Sequence, residues 1–286
     1  MAMLRHDIEG FAKSLASRAV WALTEEARLT PKPGLVDARS SGAHSDMSLK
    51  LMMNSAEALR GTFEEIASVS YLHSPNQELR EKIARIGREG ERRMYTVTKG
   101  VNTHKGAIWA LGLLTSARAV CADETDSERV LRLAGVIASF EDRYCPAEEK
   151  ETNGQIVKRK FNISGAYEEA QQGFPHIRNE ALPALLSARR AGKNEQEARL
   201  EALLALMAAV DDTCILHRGG NAALTTVKEL AASCLRAARG NMEEFTEKFT
   251  RLSDYCSSRR LSPGGSADLL AAALFLGVED ERGREL

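Results

Sequence analysis

Five short segments concentrate the residue types that handle phosphate, protons and divalent cations. They are Thr30-Pro-Lys-Pro-Gly-Leu-Val-Asp37, Gly100-Val-Asn-Thr-His-Lys-Gly106, Thr152-Asn-Gly-Gln155, His217-Arg-Gly-Gly220 and Ser262-Pro-Gly-Gly-Ser-Ala-Asp268. Four of the six histidines (His44, His104, His176 and His217) lie in or beside such stretches. Glycine-rich turns at helix starts expose backbone N–H groups, which attract phosphate. Gly34, Gly219, Gly220, Gly264, Gly265 and Ser266 stand in turns of this kind. Lys32, Lys105 and Arg218 add positive charge, and a guanidinium can grip two oxygens at once. Asp37 lies close in sequence to Lys32, Asp211 and Asp212 lie close to Arg218, and Asp268 ends the last segment. A phosphate that faces carboxylates needs a divalent cation between them. The combination points to a Mg²⁺-polyphosphate site. Neither Gx4GK[ST] nor GxGxxG occurs in the chain, so a nucleotide must bind in another way.

Each segment also has an ordinary reading. Pro31, Pro33 and Gly34 suit a tight turn. His44 and Asp46 suit a cap for the next helix. Gly100 to Gly106 suits a helix stop and start, and His217 to Gly220 suits a helix end with a basic last turn. Ser262 to Asp268 suits a serine-capped helix with acid in its first turn. Five such segments in one chain favour a shared cleft, because loops on a rigid frame commonly carry function.

That frame is helical. Val130, Leu133, Ala134 and Ile137 share one helical face, as do Leu200, Leu203, Leu204 and Met207. Helix starts are marked at Ser74-Pro-Asn-Gln77, at Thr125 with Glu128, at Asn194 with Glu197 and at Asn241 with Glu244. About ten helices are expected, roughly over 4–28, 46–69, 76–98, 104–121, 126–142, 178–191, 195–212, 220–239, 241–257 and 266–277, with ends good to about 2–4 residues. Leu49-Lys-Leu-Met-Met53 reads as core. The best strand candidate, Gln155 to Ile163, is short and charged, so a loop or small hairpin suits it equally. No linker marks a border and no repeat is visible. One all-α domain over 1–286 is expected, with a frayed tail from Val278 to Leu286.

Composition narrows the function classes. Hydrophobic residues make up 43% of the 286, enough to bury a sizeable core. Lys plus Arg is 39 against 40 for Asp plus Glu, a net charge of −1. That balance argues against a general nucleic-acid or anionic-membrane binder. No apolar run approaches the roughly 18 residues of a membrane span. His6, Asp7 and Glu9 interrupt the start where a signal peptide would be apolar, so a cytoplasmic protein is expected. The five cysteines form no CxxC and read as reduced, mostly buried thiols. A homodimer is the base-rate expectation for assembly.

Leu29-Thr-Pro-Lys-Pro-Gly-Leu-Val-Asp37, Gly42-Ala-His-Ser-Asp-Met47, Gly100-Val-Asn-Thr-His-Lys-Gly106, Gly173-Phe-Pro175, Arg218-Gly-Gly220 and Ser262-Pro-Gly-Gly-Ser-Ala-Asp-Leu269 occur in order along the chain. Together they resemble the signature of the triphosphoribosyl-dephospho-CoA synthase family. The resemblance implies a largely α-helical enzyme that takes ATP and 3′-dephospho-CoA as substrates. It implies that the 5-triphosphoribosyl group moves to the 2′-hydroxyl of the acceptor and that adenine leaves. The implied product is the prosthetic-group precursor for the acyl carrier subunit of citrate lyase or malonate decarboxylase. A holo-acyl-carrier-protein synthase is the implied downstream pathway partner. One departure stands at Gly165-Ala-Tyr-Glu-Glu-Ala170, where Tyr167 replaces an arginine of the family pattern and Glu169 keeps its place.

Substitution at the ribose C1″ with inversion sets three tasks, by analogy with inverting glycosidases. The hydroxyl needs a base, for which Asp37, Glu57, Glu169 and Asp212 are candidates, Asp37 or Asp212 foremost. Adenine needs a proton, for which His44 and His104 are candidates. The triphosphate needs holding by Lys32, Lys105, Arg218 and backbone N–H groups, with Mg²⁺ bridging to Asp212 or Asp268. A Mg²⁺-dependent nucleotide or ADP-ribosyl-type hydrolase is the first rival, distinguished by adenine release without dephospho-CoA. A non-catalytic helical adaptor is the second, distinguished by a lack of saturable ATP binding.

Overall fold

The stretches 107–119 and 269–277 have almost no polar face, and a helix that is apolar all round belongs in a core. In the computed structural model, which describes residues 2–123, 126–146, 153–238 and 240–277, both are buried central helices. Thirteen α-helices are present among the described residues: α1 (Ala2–Arg28), α2 (Leu49–Ala58), α3 (Arg60–Ser70), α4 (Gln77–Thr98), α5 (Lys105–Val120), α6 (Ser127–Ser139), α7 (Asn153–Phe161), α8 (Ala166–Gln171), α9 (Leu182–Arg190), α10 (Glu195–Ala209), α11 (Thr213–Ala237), α12 (Met242–Ser258) and α13 (Gly264–Gly277). A π-helical turn, Ile177–Ala181, leads into α9. The chain is all-α, and one hydrophobic core runs through it.

The central pair is wrapped by the rest. Helix α13 packs on α1, α5 and α10, and α5 packs on α3, α4 and α6. The two central helices also begin side by side. A Cβ on Gly106, in the first turn of α5, would sit 2.1 Å from Asp268 Oδ2 near the start of α13. The missing side chain at 106 is what lets Asp268 approach this closely. The fold thus sets the ends of two of the polar segments in contact.

Local chemistry explains most boundaries. Asn194 and Glu197 form the expected capping box of α10, and the Asn241 side chain accepts from the N–H groups of Glu243 and Glu244. At α4 the cap is Asn76, whose side chain accepts from Leu79 N–H, rather than Ser74. Helix α6 is capped by Asp126, while Thr125 lies outside the described residues. The expected 46–69 helix breaks at Leu59 into α2 and α3, and Ser48 rather than His44 or Asp46 caps α2. Gln155 to Ile163 is no strand: α7 spans most of it and packs on α11. Leu49 to Met53 is half-exposed rather than core, because only the small Ser55 and Ala56 of α2 reach full burial. Cys121, Cys234 and Cys256 are buried thiols, whereas Cys145 and Cys214 are exposed. Among the described residues no helix is long and apolar enough to cross a membrane. The expected frayed tail from Val278 lies outside the described residues.

Candidate active site

The segment Leu261–Asp268 is the hub on which the segments at 30–37, 100–106 and 217–220 close. A Cβ on Gly34 would lie 2.1 Å from Leu261 O, and Gly34 has φ +69, so both space and conformation demand glycine there. The Gly34 carbonyl accepts from Ala43 N–H (3.0 Å), which folds Gly42-Ala-His-Ser-Asp-Met47 back onto the first segment. His44 Nε2 then meets Ser262 Oγ at 2.9 Å. Arg218 donates to Ala43 O (3.2 Å) and Arg260 O (3.1 Å), and its second terminal nitrogen stands 3.4 Å from His44 Nδ1. Burial, with the Arg218 charge behind it, lowers the His44 pKa. Gly220 (φ +69, ψ −173) interrupts the helical path of α11 two residues after Arg218. The expected fresh helix start at Gly220 is thus a kink within a helix that begins at Thr213.

Asp212 joins two helices. Its Oδ1 accepts from Cys214 N–H (2.9 Å) and Ile215 N–H (3.4 Å), capping α11. Its Oδ2 accepts from Ser266 N–H (2.8 Å) and Ser266 Oγ–H (3.0 Å) at the start of α13. Burial raises its pKa, and the Ser266 bonds act against the rise. Asp268 lies in the next turn and accepts a bond from Ala107 N–H of α5. Its pKa is raised well above the ordinary value, first by burial and then by the charges of Glu26 and Asp212.

Three of the expected phosphate and proton groups, Lys32, Asp37 and His104, are locked inside. Lys32 Nζ is 2.6 Å from both Glu26 Oε1 and Glu26 O, with its side chain 1% exposed. Asp37 Oδ2 accepts from Lys32 N–H (3.0 Å), and Oδ1 from Arg39 N–H (2.7 Å) and Ser40 N–H (2.9 Å). That carboxylate holds the loop together. His104 is 2% exposed, and its Nδ1 meets Ser55 Oγ at 2.9 Å. Its Nε2 has no partner among the described residues. Burial and the nearby Lys32 charge push its pKa down to about 3, so it is neutral. Lys105 Nζ lies 3.3 Å from Glu91 Oε2. Glu57 is exposed and paired with Arg60 at 2.6 Å.

A cavity of about 120 Å³ opens beside the hub. Gly106, Trp109, Glu169, His176, Asp212, Gly265 and Asp268 are among the residues that line it. The structure therefore brings together Glu169, Asp212, Gly265 and Asp268 of the sequence candidates. Lys32, Gly34, Asp37, His44, His104, Lys105 and Arg218 do not line it. Residues 153–155, in α7, do not line it, and Thr152 lies outside the described residues. His176, Trp109, Ser55 and Glu26 were not singled out as site residues by sequence. For His176 the signal was available, since it directly follows Gly173-Phe-Pro175. Tyr167 stacks on Trp109 with ring centroids 5.8 Å apart, and Arg80 of α4 covers the same indole at 5.1 Å.

Among the described residues, no three His, Cys, Asp or Glu side chains cluster closely enough to enclose a metal ion. Mg²⁺ bound with a polyphosphate needs only one or two protein carboxylates, the rest of its shell being phosphate and water. Asp268 suits that demand, for it is a hard oxygen donor on the cavity wall amid an excess of acidic groups. Asp212 suits it less, since four hydrogen bonds already engage its oxygens.

A family model described as ATP:dephospho-CoA triphosphoribosyl transferase matches residues 12–285. The chain belongs to that family. A 2-(5''-triphosphoribosyl)-3'-dephosphocoenzyme-A synthase of Klebsiella pneumoniae is 45% identical over 264 residues, covering 92% of this chain and 93% of the relative. Proteins described as probable synthases of the same name are 46% identical in Pseudomonas syringae pv. syringae (strain B728a), over 95% of this chain and 94% of the relative, and 46% in Azotobacter vinelandii, over 93% and 91%. No solved structure matches the chain. Apart from Gly173-Phe-Pro175, the motif strings that carry the resemblance to this triphosphoribosyl transferase family close on Leu261–Asp268.

Proposed function

We propose that the chain performs its family's reaction, transfer of the triphosphoribosyl group of ATP to 3′-dephospho-CoA, in and around the cavity between the starts of α5 and α13. The enzyme is a 2-(5''-triphosphoribosyl)-3'-dephosphocoenzyme-A synthase. The observation that carries the siting is the meeting of Gly106, Asp212, Gly265 and Asp268 at one cavity wall. Helices α5 and α13 both start there, and the positive end of a helix dipole favours a polyphosphate. Arg218 and the Gly219–Gly220 kink add charge and N–H groups at the outer side of the hub. Asp268 would hold Mg²⁺, which when bound would neutralise part of the triphosphate charge. Glu169, Asp211, Asp212 and Asp268 are the carboxylates that line this cavity. Asp212 and Asp37 serve by fixing the loops, and His104 by filling a buried place as a neutral ring. The product passes to a holo-acyl-carrier-protein synthase.

Mass spectrometry of the product from ATP, Mg²⁺ and dephospho-CoA, with adenine measured in parallel, tests this reading. The expected result is an adduct that retains all three phosphates, with adenine in equal amount and both dependent on dephospho-CoA. Adenine release that proceeds equally without dephospho-CoA would establish the hydrolase instead.

A further inference from the structure

The chain reverses sharply at Gly173-Phe174-Pro175, where Gly173 has φ +70 and Phe174, a non-glycine residue, has φ +55. Left-handed backbone at a bulky residue is strained and is retained where the surroundings fix it. Here Phe174 is buried at 1% exposure and its N–H donates to Glu169 O (2.8 Å). A π-turn follows at once, closed by a bond from Leu182 N–H to Ile177 O. Pro183 has no N–H to continue the ordinary ladder, which accounts for the widening. The outcome of these two irregularities is the placement of His176. Its Nδ1 lies 2.7 Å from Glu169 Oε2, and its backbone N–H donates to Glu169 Oε1 at 3.0 Å. One carboxylate thus fixes both the ring and the main chain of the residue it faces. Both side chains line the cavity that also holds Asp268.

We infer that His176 is the general base of the transfer and that Glu169 is its positioning residue. The inference rests on the proposed function above. With Nδ1–H donated to Glu169, the neutral ring keeps its lone pair on Nε2. In the reaction the 2′-oxygen of dephospho-CoA forms a bond to C1″ while the C1″–N9 bond breaks and its electron pair leaves with adenine. The hydroxyl proton moves to His176 Nε2, and Glu169 stabilises the imidazolium, the division of labour known for histidine–carboxylate pairs. Adenine takes a proton from water, and the imidazolium returns one to water, so the proton count closes. The charged groups around the ring are Glu169 of α8, Glu180 of the π-turn and Lys228 of α11, with Asp211 (2.7 Å from Lys228), Asp212 and Asp268 across the cavity. The bond to Glu169 raises the histidine pKa, and burial acts against it.

The test compares wild type, His176→Gln and Glu169→Gln in the adduct and adenine assay across pH 5.5 to 9, with ATP affinity measured by calorimetry. Wild type serves as the control on the reaction itself. If it forms no adduct, the functional reading fails; if it does, the variants decide the inference alone. His176→Gln is expected to lose roughly a hundredfold or more in kcat with ATP affinity unchanged. Glu169→Gln is expected to keep measurable kcat, with the acid limb of its kcat/KM profile displaced to lower pH. Wild-type kcat in His176→Gln, or an undisplaced acid limb in Glu169→Gln, would overturn the proposal. The second variant retains the decision if the first does not fold.

Discussion

Asp212 Oδ2 accepts both the N–H and the Oγ–H of Ser266, at 2.8 and 3.0 Å, while Oδ1 caps α11. One carboxylate, 1% exposed, therefore ties the start of α11 to the start of α13. Asp212→Ala removes a helix cap and orphans the Ser266 donors. It is expected to lower stability by about 2–4 kcal/mol. Urea unfolding measures this, and a loss below about 0.5 kcal/mol would contradict the linking role.

Gly106→Ala is expected to act on the site rather than on folding. The new Cβ falls where Asp268 Oδ2 now lies, and the end of one short side chain can swing aside. Turnover should fall at least roughly tenfold, about 1.4 kcal/mol of barrier, with the melting temperature nearly unchanged. Gly34→Ala contrasts with it, because its Cβ meets the backbone carbonyl of Leu261 and its φ is +69. That variant should lose about 1–3 kcal/mol of stability. Thermal melts of the two side by side separate the cases.

Lys32 is paired with Glu26 at 2.6 Å inside the fold, and Asp268 feels the Glu26 charge. Lys32→Met leaves buried acid uncompensated and should destabilise by about 3–5 kcal/mol. The double change Lys32→Met with Glu26→Leu should recover much of that loss. Chemical denaturation of both variants reads the difference, and equal stability of the single and double variants would contradict the pairing.

His104 gives a signed pH effect. Its pKa of about 3 in the fold lies below the ordinary 6.5 of the unfolded chain. The neutral ring therefore stabilises the fold in full above pH 6.5, and that contribution is lost as pH falls from 6.5 toward 3. His104→Asn should flatten the stability–pH slope over that window. Unfolding free energies of both proteins at pH 7, 5.5 and 4.5 provide the comparison.

Arg218 bridges Ala43 O and Arg260 O while facing His44, a task for a branched, planar cation. Arg218→Ala is expected to raise KM for ATP roughly tenfold, and Arg218→Lys to restore little of it, because an ammonium cannot hold that fork. Steady-state kinetics with varied ATP reads both.

The helical class was legible in the sequence because periodicity and caps are local. Asn194 with Glu197 and the Leu200–Met207 face need only their own helix. The motif strings were legible for the same reason, and they identified the family. The roles within the site were not. Nothing near Lys32 in sequence says that Glu26 holds its ammonium, and nothing near Asp212 names Ser266, 54 residues away. A charged group in a loop reads as free until its partner is known. Leu49 to Met53 reads as core until the packing of α2 is known. His176 gained its place only through the Phe174 reversal and the carboxylate of α8. Local chemistry along the chain thus determined what the elements are and which chemistry is available. Tertiary packing decided which groups face the cavity and in what protonation state, because burial and pairing arise between residues far apart in the chain.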